Sequence, residues 1–252
     1  MTAPFAHELL GWRKPRQADG RFVPNCADSD SVQSIALAGG MLAALGIQAD
    51  AGQKVPTDPG PRLEELVRSD LADVLGSGDR NRTWDIARGR VIADFSQYEH
   101  LKRVDKMVQD HAELRVTLGQ DYLIKPDVTV GVVDTDNLLE STPFLHAAVS
   151  CKWTIRSDRV QNIRHEFNQM IRHRRGRQPH LVTVTAEPLP SRIASITRGT
   201  GEIDAVYHIA FDALDQSVRD NGNPAQKAAW NECVQQRRLL SYRTLSETLL
   251  RW

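Results

Sequence analysis

The chain has 252 residues, enough for one domain with a full hydrophobic core, and it sets 32 basic against 32 acidic side chains, so its overall charge selects no polyanionic partner. Three widely spaced cysteines, Cys26, Cys151 and Cys233, form no CxxC pair, which excludes a zinc ribbon and a disulfide framework and suits a reduced, cytoplasmic protein. The N-terminus lacks the apolar core of a signal peptide, and the longest apolar run, Ile35 to Gly46, is too short to span a bilayer, so no membrane partner is expected.

The first part of the chain, 1–117, is predicted to be mainly helical. An apolar helix runs over 31–45. A proline-containing loop over 54–60 leads to an amphipathic helix over 61–75, with Leu63, Leu66, Val67, Leu71 and Val74 on one face. Gly60-Pro61 and Gly76-Ser77-Gly78 bound it. Residues 96–115 form a third predicted helix.

The second part, 118–214, changes period. Residues 121–133 read as a strand or a bent strand pair, 145–155 as a second strand, 157–175 as a helix, 180–187 as a third strand and 204–211 as a fourth. Helical segments fill 215–252. Strand, strand, helix, strand, strand predicts an α/β fold with a mixed central sheet flanked by helices, and the helical N-terminal half wraps or extends it. All 252 residues are read as one domain.

Local charge is uneven. Residues 150–180 carry eight Lys and Arg against Asp158 and Glu166, a net +6 with His neutral. A basic face on a neutral protein fits a polyanion bound at one place, although a solvated arginine-rich helix has the same composition.

Hydrolysis of a phosphodiester needs a deprotonated water, neutralisation of the developing phosphorane charge and a stabilised leaving oxygen. Carboxylates holding Mg²⁺, with a nearby lysine, meet those needs. Pro126-Asp127 offers a carboxylate whose direction the proline fixes. An acid-x-Lys on a neighbouring strand would complete the set, but the sequence reads Ser150-Cys151-Lys152. By themselves, Asp127 equally suits a turn and Lys152 an edge strand.

The longer run decides between these. Ser150-Cys151-Lys152-Trp153-Thr154-Ile155-Arg156-Ser157-Asp158-Arg159-Val160-Gln161-Asn162, followed by Glu166, resembles the NgoMIV-type family of type II restriction endonucleases, cutters with a CCGG core. The resemblance covers roughly residues 118 to 214. It includes Asp121-Tyr122, Pro126-Asp127, Leu145-His146-Ala147, Arg175-Gly176-Arg177, Pro179-His180 and the stretches VTAEPLPSRIASI and GTGEIDAVYH. It implies a restriction-endonuclease-like fold and Mg²⁺-dependent double-strand cleavage, with two ions per site and 5′-phosphate ends on a 5′ overhang. In that family the second acid has moved from the strand to the following helix, which makes Glu166 the relocated acid and leaves Ser150 in its old place. Asp127 and Glu166, helped by the Cys151 backbone carbonyl, are then the implied metal ligands. The family also places a glutamate on an N-terminal helix beside the metal. Glu64 lies at the edge of the apolar face of the 61–75 helix and Glu65 opposite it, so Glu64 is the choice.

Arg156, Ser157, Asp158 and Arg159 lie where strand gives way to helix, and Asp158 with Gln161 can form a capping box. Arginine pairs with guanine O6 and N7 and aspartate accepts from cytosine N4, so Arg156, Asp158 and Arg159 can read two G·C pairs, and a two-fold dimer four. The resemblance implies the same role for this segment. It also matches Arg192 to an outer-guanine reader, giving GCCGGC. Its other outer contacts fall on an N-terminal loop, here Asp28-Ser29-Asp30-Ser31, with Ser29 and Asp30 as candidates, and on a glutamine position that here holds Thr57. Both depart from the pattern.

The expected partner is double-stranded DNA, bound by a homodimer at least and, by the family's habit, a homotetramer. Two rival classes share some of these features. A structure-selective repair nuclease needs the acids and the lysine without a reader segment, and a non-catalytic DNA-binding protein has no use for Asp127, Lys152 and Glu166 together.

Overall fold

The computed structural model describes residues 2–14, 22–49, 55–119, 122–133, 142–199 and 201–251. The side chains of Ala112, Arg115, Leu118, Ser157, Asp158 and Arg159 lie outside the described residues, as does Asp121 of the Asp121-Tyr122 motif. Chain order runs α1 (Ala6–Leu9), β1 (Trp12–Arg13), β2 (Val23–Pro24), α2 (Val32–Ala44), α3 (Pro59–Gly78), β3 (Thr83–Arg88), α4 (His100–Asp110), α5 (Ala112–Leu118), β4 (Val128–Val133), β5 (Phe144–Lys152), α6 (Ser157–His173), β6 (His180–Thr185), α7 (Pro190–Thr197), β7 (Ala205–His208), α8 (Phe211–Asn221), α9 (Pro224–Gln235), β8 (Leu239–Ser241) and α10 (Arg243–Arg251).

Six strands form one sheet in the order β3-β4-β5-β6-β7-β8. β3, β4 and β5 pair antiparallel, and β5 to β8 pair parallel, so the sheet is mixed as expected. The parallel half follows from the helices interposed between its strands, which carry the chain back to restart in the same direction. β5 is buried from Leu145 to Cys151, in keeping with a strand covered on both faces.

The predicted helices form with shifted ends. Ser31 caps α2, its side chain accepting from Ser34 N–H. α3 starts at Pro59, because proline is favourable in a first helical turn, and its buried line is Leu63, Val67, Leu71 and Leu75. Leu75 thus takes the place expected of Val74, which is 36% exposed. The predicted 96–115 helix is broken at His111, whose extended backbone separates α4 from α5. The N-terminal half also contributes β3, a strand the apolar pattern does not announce: it is an edge strand with no fully buried residue.

α6 lays Val160, Ile163, Phe167 and Met170 in the core at helical spacing. It starts beside the end of β5, so the catalytic and DNA-reading candidates converge at the carboxyl ends of β5 and β6. That is where a parallel sheet leaves a crevice.

Candidate active site and DNA-reading groove

Asp127 immediately precedes β4. The antiparallel register pairs Val128 with Val149, which sets Asp127 opposite Ser150, one step past the end of the ladder. Where backbone pairing stops, the Asp127 side chain takes over. Its Oδ2 accepts from Cys151 N–H at 2.7 Å, from Lys152 Nζ at 2.7 Å and from Ser150 Oγ at 3.3 Å. Pro126, buried just before it, fixes the backbone that aims this carboxylate. In an antiparallel pair a residue's N–H and C=O point to the same side, so the Cys151 carbonyl opens toward the same gap.

A cavity of about 480 Å³ adjoins this knot, lined by Glu64 from α3, by Cys151, Lys152 and Trp153, and by Asn162 and Glu166 from α6. Glu166 flanks the buried stripe of α6, one turn on from Ile163. Burial pushes its carboxyl above the ordinary range, Lys152 counteracts this, and the negative charge of Asp127 adds to it. Asp127, Ser150, Cys151, Lys152, Glu64 and Glu166 are therefore neighbours in space, although 102 positions separate the first from the last in sequence order, Glu64 to Glu166.

Glu64 and Glu65 part as the helical wheel suggests. Glu64 lines the cavity and accepts from Arg88 Nη2 at 2.6 Å. Glu65 stands outside it, bonded to Arg68 at 2.7 Å and to Arg88 at 3.3 Å. Arg88 closes β3, so the unforeseen edge strand supplies the cation that steadies Glu64.

A second, wider groove of about 850 Å³ opens on the other side of the β5–α6 junction. Asp28, Asp30, Arg156, Gln161, Arg164 and Arg192 line it. Arg156, Arg192 and Asp30 are thus together, while Ser29 is exposed and outside the lining. Asp158 and Arg159 lie on α6 at this junction, and their side chains lie outside the described residues. The expected capping box is corrected. α6 begins at Ser157 with extended Arg156 as its N-cap and no side-chain cap bond, so Asp158 falls inside the first turn. The preceding residue, Ile155, donates its N–H to Glu187 Oε2 at 2.7 Å.

The basic stretch is also divided. Lys152, Arg156 and Arg164 border the two cavities, whereas Arg172, Arg174, Arg175 and Arg177 follow at the far end of α6. The 17 residues of α6 put about 25 Å between Arg156 at its start and Arg174 at its end, with Arg164 near the middle, so the basic residues are strung along the helix.

Two acids near Arg192 escape sequence reasoning, Asp28 in the groove lining and Glu187 buried behind it. Asp28 pairs with Arg192 through Oδ2, and that guanidinium bond holds its carboxyl below the ordinary range. The pair spans 164 residues, so no local spacing announces it. Glu187 is wholly buried at the end of β6; the only trace in the sequence is a charge set in the apolar run before Pro188. The loop that bears Asp28 is fixed by Asn25, whose carbonyl accepts from Trp153 Nε1 at 3.2 Å, and by Arg13, which donates to Ala27 O at 3.1 Å.

Known proteins resemble this chain over most of its length. The profile of the NgoMIV restriction enzyme family matches residues 13–137 and 132–247. The chain is 36% identical over 235 residues to the type II restriction enzyme NgoMIV of Neisseria gonorrhoeae, spanning 80% of either protein. Among solved structures it is similar to the type IIF restriction endonuclease Bse634I with cognate DNA, at a TM-score of 0.40 and 12% identity, over 83% of this chain and 97% of that one. That likeness is too distant to carry an argument. The family match and the 36% relative carry it, and by them this chain, a type II restriction endonuclease, belongs to the NgoMIV restriction enzyme family.

Proposed function

We propose that the protein is a Mg²⁺-dependent endonuclease that cuts both strands of a CCGG-core palindrome, with GCCGGC as its site, leaving 5′-phosphate ends on a 5′ overhang. The observation that carries this reading is the convergence of Lys152 Nζ and Cys151 N–H on one oxygen of Asp127, beside a cavity that Glu64 and Glu166 also line. A non-catalytic DNA-binding protein has no need of carboxylates gathered around a lysine in a cavity.

The residues fit a hard cation. Among the described residues no group of three or more His, Cys, Asp or Glu side chains is gathered to hold a metal. Mg²⁺ does not need one: it keeps several waters and takes one or two carboxylates. Asp127, Glu166 and the Cys151 carbonyl are the donors we assign, for two ions per site. The raised carboxyl of Glu166 fits this role, since a half-buried acid near a second carboxylate is stabilised by a cation between them. The bound ions supply charge neutralisation and an activated water. The chain's own residues orient and screen. Lys152 puts an ammonium into the cavity that a phosphate enters, Cys151 N–H and Ser150 Oγ fix the angle of Asp127, and Glu64, braced by Arg88, faces the cavity from α3.

Specificity is assigned to Arg156, Asp158 and Arg159 for the core and to Arg192 for the outer guanine, with Asp30 and Ser29 beside it. The groove beside the active cavity supports this, because it holds Arg156, Arg192 and Asp30 at the start of α6, where a helix end can enter a major groove. A palindrome needs two copies of the reader, so the working unit is a homodimer at least, and paired dimers make the tetramer. No helix among the described residues is long and apolar enough to cross a membrane, and three free, buried cysteines fit the reducing cytoplasm. The test is digestion of a fully sequenced plasmid with Mg²⁺, followed by sequencing of the fragment ends. Ends at GCCGGC are expected; ends scattered without sequence preference would make it a structure-selective nuclease instead.

A further inference from the structure

Glu187 is an unusual place for a charge. It is 0% exposed, at the end of β6, and has no part in the active cavity. Burial pushes its carboxyl up to about 7, against the pull of its two backbone bonds and of Arg192. A buried carboxylate is costly and persists where its oxygens are well used. Here each oxygen holds one strand-to-helix junction. Oε2 accepts from Ile155 N–H at 2.7 Å, the residue before Arg156 at the start of α6. Oε1 accepts from Leu189 N–H at 3.1 Å, the N-cap of α7, which carries Arg192. Arg192 Nη1 lies 3.9 Å from Oε2 while the same guanidinium pairs with Asp28. The loop is braced from behind: Ala210 N–H donates to His208 Nδ1 at 3.1 Å, which leaves His208 Nε2 to donate to Glu187 O at 3.2 Å.

We propose that Glu187 is a positioning residue for specificity, its carboxylate tying the core reader at Arg156 to the outer reader at Arg192 so that the two engage DNA as one unit. The proposal rests on the reading that Arg156 and Arg192 meet bases. Its consequence is coupling. A wrong outer base that displaces Arg192 and α7 pulls on Glu187, and through Ile155 on Arg156, so one mismatch weakens both contacts.

The test is competition binding in Ca²⁺, without cleavage, to GCCGGC, to a duplex changed in the outer pair, to one changed in the core and to one changed in both. Full-length wild type, Glu187→Gln and Arg192→Ala are compared. Glutamine keeps the volume but offers one carbonyl oxygen where two backbone N–H groups need acceptors, so one tether is lost. Glu187→Gln is expected to lose about tenfold in discrimination at both the outer and the core pair, with affinity for a random duplex nearly unchanged. Arg192→Ala is expected to lose discrimination mainly at the outer pair. If Glu187→Gln keeps both ratios while Arg192→Ala loses its own, the tether is overturned and the reading of Arg192 stands. Unchanged discrimination in Arg192→Ala removes that reading, and the tether with it. Wild type alone decides the matter if Glu187→Gln does not fold. The double change in the duplex should then cost about tenfold less than the two single losses multiplied, and independent, multiplying losses would overturn the proposal.

Discussion

Lys152 Nζ lies 2.7 Å from Asp127 Oδ2, and neither side chain is more than a quarter exposed. The ammonium thus occupies one oxygen of the carboxylate that should hold metal, and it does so at the end of a ladder where no backbone partner competes. Two substitutions separate charge from shape. Asp127→Asn keeps a carbonyl oxygen for Cys151 N–H and should fold normally, yet cut at least about a thousandfold more slowly, since several kcal/mol of charge stabilisation goes with the carboxylate. Asp127→Ala also strands the Cys151 N–H and should add a stability loss of about 1–3 kcal/mol. Cleavage and specific binding are measured side by side: binding in Ca²⁺ should survive in both variants, and EDTA should silence the wild type. Full cleavage by Asp127→Asn would remove Asp127 from the chemistry.

Glu166 carries the next prediction. If it does the work of the missing strand acid, Glu166→Ala should be nearly inactive with binding intact. Ser150 is 2% exposed and within 3.3 Å of Asp127, so a glutamate there would crowd a second carboxylate against the first. Ser150→Glu alone should therefore melt lower in EDTA and recover in Mg²⁺. Combined with Glu166→Ser it moves the acid back to the strand; partial recovery of cleavage is expected, limited because a shift of about 1 Å in a catalytic group can cost a hundredfold. Wild-type rates in Glu166→Ala would make Glu166 a surface residue of α6.

The legible parts of this protein are those whose signal is local. α2, α3, α6 and the strands β4 to β7 follow from apolar period, and the choice of Glu64 over Glu65 follows from where each sits on the α3 wheel. The Asp127–Ser150–Lys152 knot rests on register between two strands, which the motif anticipates but no spacing computes. β3 and β8 were illegible because an edge strand with half-exposed Trp84 and Ile86, or one of three residues, carries too little alternation. α6 starts at Ser157 as its period predicts, but its N-cap is Arg156 and not Asp158, and the bond from Ile155 N–H to Glu187, distant by 32 residues, has no local signal. Asp28 with Arg192 is the extreme case, a contact that exists only once the sheet is complete.

Two buried histidines should weaken the fold in acid. Burial lowers His146 and His208 to about 4, against 6.5 in the unfolded chain. A folded-state pKa below the unfolded value means the unfolded chain binds the proton first. The stability these rings contribute is full above about pH 6.5 and is lost as pH falls toward 4. Glu187, raised to about 7, works the other way, its contribution fading as pH rises through neutrality. Urea midpoints should fall as pH drops from about 6.5 to 4.5, with a net slope of about one proton, the two histidine protons less the one that Glu187 opposes. His208→Gln keeps a donor for Glu187 O and an acceptor for Ala210 N–H and should flatten that slope. An unchanged slope in that variant would show that His208 is not one of the groups.

Reader residues and phosphate contacts separate by the kind of loss they cause. Arg156 and Arg192 line the groove and are assigned to base edges; Arg164 lines it too but spends one nitrogen on Ser195 O at 2.9 Å, which suits a backbone-anchored phosphate contact. Arg175 sits past the far end of α6, about 25 Å from its start. Arg156→Ala and Arg159→Ala should each lose about 1–3 kcal/mol of preference for the CCGG core, and Arg192→Ala a similar amount at the outer pair. Arg164→Ala should bind every duplex less tightly, with the salt dependence flatter by about one unit of slope, and keep its preferences. Arg175→Ala should change neither. The measurement is binding in Ca²⁺ to cognate, core-changed and outer-changed duplexes over a range of salt. Because the helix start is the element assigned to the core, intact core preference in both Arg156→Ala and Arg159→Ala would take the reader away from α6 and with it the physical argument for CCGG.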